Sequence, residues 1–209
     1  KIENYQGEIT EHRSSEGPLK ISEVVDRNPI YDGLFKGADE IGIPTNKDYN
    51  GDEQEGISYT QTTIFKGERM SAEVAYLKPI RSRKNLKIIT NSLVTKLLFE
   101  GKTCVGVKVK NKNKIQDYFS QNEVILCGGA INSPQILELS GIGNRSILEE
   151  KGISLVHELK GVGENLRDHL GPRLVYNITK RGISYNDKAR GINLIKQVLT
   201  YAFKREGFL

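Results

Sequence analysis

Cysteine, long apolar runs and blocks of like charge are scarce in this chain, and each shortage removes a class of protein. Only Cys104 and Cys127 are present, with 22 positions between them, no CxxC and no nearby histidine pair. That spacing argues against a cysteine metal centre or a disulfide staple. The two thiols read instead as buried side chains of a protein in a reducing compartment. No apolar stretch approaches the roughly 20 residues needed to cross a bilayer, and no signal-like apolar region follows the first residue. Internal repeats and low-complexity tracts are absent too. The 31 Lys and Arg exceed the 26 Asp and Glu, for a net charge of +5. These charges are scattered, which describes a mildly basic solvated surface. With no basic stripe interleaved with aromatics, nucleic-acid binding is disfavoured. The expected location is cytoplasmic, or peripheral to the inner membrane.

The 209 residues suffice for one or two cores, and 37% hydrophobic with 27% charged content is ordinary for a globular chain. Residues 1–20 are polar and broken by Gly7, Gly17 and Pro18, so a loop is expected. Asn28-Pro29 starts a helix whose Ile30, Leu34, Ala38 and Ile41 share one face, ending by Gly42. Residues 44–56 have loop composition. A strand is expected over 58–66 and a short helix over 70–77, stopped by Pro79. From Asn85 the pattern turns to β: strands over 86–89, 93–99, 105–109, 115–120, 124–127 and 153–158. The second and third are joined by a hairpin at Glu100-Gly101-Lys102. Helices are expected over 134–139, 146–151 and 192–203. The fold class is α/β, in the mixed α+β sense.

The most informative stretch runs from Val124 to Gly143. Val124–Cys127 is a short apolar run, as in a strand covered on both faces. Gly128 and Gly129 remove side chains where that strand ends. Asn132 or Ser133 is placed to cap the next helix, with Pro134 in its first turn and Gly141 as its stop. A strand delivering a glycine turn to a helix N-terminus makes a site for anionic or dinucleotide ligands.

Gly129 to Gly143, GAINSPQILELSGIG, also resembles the second signature of the glucose–methanol–choline (GMC) flavoprotein oxidoreductases. Gly67-Glu68-Arg69-Met70-Ser71-Ala72, Ala75-Tyr76-Leu77, Arg83-Lys84-Asn85-Leu86 and Gly161-Val162-Gly163-Glu164-Asn165-Leu166-Arg167-Asp168-His169 match other segments of that family in order. The resemblance covers roughly residues 17–172, far more specific than a lone glycine triplet. It implies part of an FAD-binding Rossmann-like domain with pieces of a substrate-binding domain. Residues 1–77 would be mainly substrate-side, 78–172 the FAD segment and 173–209 the start of the substrate domain.

The same resemblance implies FAD as cofactor and places Val94 where backbone N–H and C=O meet the adenine. Gly128, Gly129 and Ala130 would let the cofactor lie against the backbone. Asn132 and Ser133 are further cofactor candidates, although capping is their commoner use. No catalytic residue and no metal ligand is expected in this chain. Asp168-His169 is set aside as a catalytic pair, because neighbours in an extended segment point to opposite sides; His12 and His157 stand isolated. Neither Gly141-Ile142-Gly143 nor Gly161-Val162-Gly163 completes a dinucleotide fingerprint. The family's GxGxxG and its catalytic histidine segment are both missing. With Lys1 in place of Met, the expectation is an internal piece of a longer enzyme, inactive alone.

Within the family, Gly17-Pro18-Leu19, Asn28-Pro29, residues 50–56 and residues 181–186 look most like the choline and alcohol dehydrogenase branch. The implied substrate is a small-molecule alcohol, the partner is the rest of the same polypeptide, and the electron acceptor is left open. A dehydrogenase is favoured over an oxidase. Two alternatives stand beside it: a hydroxynitrile-lyase-like member with structural FAD, and a non-catalytic flavin-binding remnant.

Overall fold

The computed structural model describes residues 2–24, 27–180 and 182–206. In chain order its elements are β1 (Glu3–Tyr5), β2 (Leu19–Ile21), α1 (Pro29–Glu40), β3 (Ile64–Phe65) and β4 (Glu68–Arg69). Then follow β5 (Leu93–Glu100), β6 (Thr103–Asn111), β7 (Lys114–Phe119), α2 (Gly129–Leu139), β8 (Ile142–Gly143) and α3 (Arg145–Glu150). The last are β9 (His157–Glu158), α4 (Tyr185–Lys188) and α5 (Gly191–Lys204). They form two compact units. One is built from both ends of the chain, up to Leu86 and from Leu174 onward; the other is Lys87–Arg173.

In the outer unit, β1 and β2 run parallel, with Glu3 opposite Leu19. The polar opening segment, expected to be loop, is drawn into these strands by Arg13. Its guanidinium bonds Asp48 Oδ2 at 2.7 Å, Asp48 Oδ1 at 2.8 Å and Glu3 Oε2 at 3.0 Å. It also donates to Gln61 Oε1 and lies 4.1 Å from the Tyr5 ring centroid. Burial alone would raise the Asp48 carboxyl. Hydrogen bonds from Arg13, Gln61 and the Asn50 N–H, together with the Arg13 charge, hold it below the ordinary carboxylate value.

Asn28 is buried and caps α1, accepting from the Ile30 N–H at 3.0 Å. Its Nδ2 donates to the Ile183 carbonyl at 2.7 Å. Of the expected apolar face, Ala38 is buried, Ile30 half-buried, and Leu34 and Ile41 exposed. The expected strand over 58–66 shrinks to β3, because Tyr59 is used in ring packing, stacked on Phe35 at 4.8 Å. Lys66 and Gly67 both have positive φ, the turn that joins β3 to β4 as a tight hairpin. The short helix expected to stop at Pro79 is a π-helical turn, Glu73–Leu77, continued by a 3-10 turn, Lys78–Ile80. Pro79 sits in the first turn of the latter, where its missing N–H costs no bond. α5 ends at Arg205 with φ 56, and the Tyr201 hydroxyl donates to the Gly67 carbonyl at 2.9 Å. No helix of the described residues is long and apolar enough to cross a membrane.

The inner unit is a three-stranded antiparallel meander, β5-β6-β7, with α2 packed on β5. Gly101 alone has positive φ in the β5–β6 turn, at 60°, as a two-residue hairpin with glycine first requires. Leu97, Val109, Ile136, Leu148 and Val162 are buried. β8 and β9 make a short parallel pair. Three expected strands do not form as such: residues 86–89 and 124–127 join no ladder, and 153–158 contributes only β9. Val124–Cys127 is therefore not covered on both faces; Ile125 is 74% exposed. The reading of both thiols as buried is corrected with it, since Cys104 is half-buried and Cys127 exposed. An apolar run records a tendency to be covered, and among the described residues no neighbouring strand covers this one.

Candidate cofactor-binding site

α2 begins five residues ahead of Pro134. The capping position belongs to Gly128, with φ −78 and ψ −1, and no side chain caps the helix. Asn132 and Ser133 lie inside the first turns, so the expectation that they cap α2 is corrected. The chain turns at Gly129, φ 83, a conformation glycine takes without steric cost. A Cβ there would meet nothing within 4 Å, so the demand for glycine is conformational. Helical geometry thus starts before the polar pair is reached, and Pro134 falls within the helix. Having no N–H, it leaves the Ala130 carbonyl without its helical partner.

The result is an open helix end. Gly128, Gly129, Ala130 and Asn132 are exposed and Ser133 half-buried. The first backbone N–H groups of a helix have no intrahelical acceptors and carry a partial positive charge. With no side chain capping them, they face outward as donors to an anionic group such as a phosphate.

Val94 stands at the start of β5, an edge strand, and is 36% exposed. The ladder register settles where its main chain points. The Thr95 hydroxyl donates to the Lys108 carbonyl at 3.2 Å, so Lys108 turns its backbone toward β5. Adjacent residues of a strand face opposite neighbours, so Val109 turns toward β7, where Gln116 lies opposite. Val94 pairs with Val109 across an irregularity between Val94 and Lys96. Its N–H and C=O therefore face the open edge, as a donor and acceptor side by side. That is what an adenine edge requires.

The structure brings Gly128, Gly129, Ala130, Asn132 and Ser133 together at one end of α2, and puts Val94 on the strand against which α2 packs. Ser140 joins the two elements. It is 1% exposed, its Oγ accepts from the Leu97 N–H at 2.8 Å, and it donates to the Ile136 carbonyl at 2.5 Å. Sequence reasoning passed over it as part of a helix stop. The available signal was a hydroxyl among apolar residues immediately before a turn glycine, Gly141, which has φ 87.

Elsewhere, Asp168 accepts from the backbone N–H of His169 at 2.8 Å and both residues are exposed. His12, expected to stand isolated, bonds Asp52 Oδ1 at 2.6 Å and forms an exposed group with Glu11 and Asp52 whose ligand atoms lie within 4.8 Å of one another. The 40 intervening steps of sequence hid that grouping. His157, in β9, is exposed.

The described residues thus hold an edge strand whose Val94 main chain turns outward, packed on a helix whose start no side chain caps, on a mixed α/β scaffold. The family model for GMC oxidoreductases matches residues 2–171, and the chain belongs to that family. It is 42% identical over 170 residues to human mitochondrial choline dehydrogenase, covering 81% of this chain and 29% of that protein. To the alcohol dehydrogenase (acceptor) of Pseudomonas putida it is 38% identical over 211 residues, 99% of this chain and 38% of the relative. The chain thus spans well under half the length of these relatives. Among solved structures, an FAD-dependent oxidoreductase from Chaetomium thermophilum superposes with a TM-score of 0.86 at 26% identity, over 99% of this chain and 39% of that one. Formate oxidase of Aspergillus oryzae RIB40 shares the fold, with a TM-score of 0.85 at 24% identity.

Proposed function

We propose that this chain is a segment of an FAD-dependent oxidoreductase acting on CH–OH donors, of the choline or alcohol dehydrogenase kind. The identity of 38% to 42% with choline and alcohol dehydrogenases carries this reading. The residues present fit an FAD: Val94 offers its main chain to the adenine edge, and the uncapped start of α2 offers N–H groups to the anionic backbone of the dinucleotide. Gly128, Gly129 and Ala130 keep that approach free of bulk, while Asn132 and Ser133 add an amide and a hydroxyl beside it. When bound, FAD supplies a flavin that takes hydride from the alcohol carbon. Lys87–Arg173 serves the cofactor and the outer unit the substrate. The pyrophosphate glycine fingerprint and the proton-abstracting histidine are assigned to the rest of the polypeptide, so the 209-residue chain alone is inactive.

The test is anaerobic addition of choline and of primary alcohols to the complete polypeptide purified with its flavin. Bleaching of the flavin absorbance is the expected result. Flavin retained but bleached by no alcohol would transfer the protein to the lyase-like class, in which FAD is structural. A complete polypeptide that holds no flavin would mark a remnant.

A further inference from the structure

We infer that Ser140 is a positioning residue for the cofactor: its buried hydroxyl fixes α2 against β5 and so sets the helix N-terminus relative to the adenine-facing edge at Val94. The inference rests on the FAD reading above and deepens it. Two bonds define the joint. Ser140 Oγ accepts from the Leu97 N–H at 2.8 Å and donates to the Ile136 carbonyl at 2.5 Å, with the residue 1% exposed. The hydroxyl thereby satisfies a strand donor and a helix acceptor at once, and ties the final turn of α2 to the middle of β5.

Leu97 and Val94 present their main chains to the same edge of β5. In a regular strand, positions three apart would face opposite sides. The irregularity between Val94 and Lys96 brings them to one side. One edge therefore carries two recognition points: Leu97 N–H, taken by Ser140, and Val94, open to the adenine. About 10 Å of strand separates them, at 3.3 Å per residue.

The other arm is α2 itself. From Ser140 back to Gly129 the helix runs 11 residues, about 16 Å at 1.5 Å per residue. A tilt of about 10° at the joint would move the Gly129 end by roughly 3 Å, the length of a hydrogen bond. Ile136 and Leu97 are buried where α2 packs on β5, but apolar contacts are non-directional. The hydroxyl supplies direction.

The test uses the complete polypeptide stripped of flavin, with adenosine and inorganic pyrophosphate as separate probes of the two arms, followed by calorimetry, and FAD followed by calorimetry and flavin fluorescence. Ser140→Ala is expected to weaken FAD roughly tenfold, the weight of one buried hydrogen bond. Adenosine and pyrophosphate should each bind within about twofold of the parent, because each touches one arm alone. Loss of linkage between the arms is thus visible without turnover. Asn144→Ala is the matched control: it removes the α3 cap, where Asn144 Oδ1 accepts from the Ser146 N–H at 3.1 Å. It should lower the melting temperature and leave FAD affinity unchanged. Should Ser140→Ala not fold, Ser140→Cys, nearly isosteric with a weaker hydrogen-bonding group, is expected to lose several-fold in FAD affinity. FAD affinity unchanged in the folded variant, or equal losses for adenosine, pyrophosphate and FAD, would overturn the inference. A parent that binds none of the three probes would instead overturn the FAD reading.

Discussion

Replacing Asp48 by asparagine asks how much of the outer unit depends on one nearly buried cation. The Arg13 side chain is 3% exposed and Asp48 21%, and their bidentate contact is the shorter of the guanidinium's two carboxylate links. Removing one partner of a buried ion pair costs about 3–5 kcal/mol, because the remaining charge is left without compensation. Glu3 still reaches Arg13 at 3.0 Å, which places Asp48→Asn near the lower end, about 3 kcal/mol. For a chain of this size that is a fall of about 6–12 °C in melting temperature. With no tryptophan in the sequence, far-UV circular dichroism during urea unfolding is the suitable readout. Glu149→Gln, which removes only an exposed pair with Arg145 at 3.6 Å, should change stability by less than about 1 kcal/mol. A loss below about 1 kcal/mol for Asp48→Asn would refute the view of Arg13 as a buried organiser. The pH dependence has a definite sign. The folded Asp48 carboxyl lies below its ordinary value, so its contribution is present above the unfolded value of about 3.9. It is lost as pH falls through the folded value. Parent and variant stabilities should therefore converge in acid.

Asn28→Ala removes both the α1 cap and the bond to the Ile183 carbonyl; a loss of about 2 kcal/mol in urea unfolding is expected. Gly141→Ala forces a left-handed residue and puts a Cβ 2.3 Å from the Ser154 carbonyl oxygen. The conformational part alone costs about 1–2 kcal/mol, and parting of β8 from β9 should appear as loss of amide protection at Leu159, whose N–H bonds Gly143. Cys127 is exposed and Cys104 half-buried, so a thiol reagent should modify Cys127 first in the 209-residue chain, with that fast phase missing in Cys127→Ser.

What could be read from the sequence was local. Asn28-Pro29 names a helix start because cap and first turn are adjacent, and Gly101 and Gly141 name turns because φ is a property of one residue. The β5–β6 hairpin follows from alternation around a two-residue turn. The family signature at Gly129–Gly143 pointed to the cofactor, and family membership is shown by the match over residues 2–171. What stayed hidden was long-range. β1 and β2 are three residues each and depend on Arg13 finding Asp48, 35 positions away. The start of α2 moved because Gly129 could adopt φ 83 before any capping side chain was reached. Val124–Cys127 has strand composition, but composition cannot provide a ladder partner. The partner of Ser140 lies 43 positions earlier, on an edge whose facing only the register of three strands defines.

The outer unit is interrupted: the Asn28–Ile183 bond closes across 155 positions and encloses a whole second unit. A ribosome releases the enclosed unit complete while the outer one still lacks its returning segment, so the two mature in a fixed succession. Closure entropy rises slowly with length, by about 0.6 kcal/mol per doubling, which makes closure across 155 positions tolerable. A chain stalled shortly after Arg173 would carry a finished inner unit on an unfinished outer one, a species that protein quality control would meet before the Asn28–Ile183 bond can close.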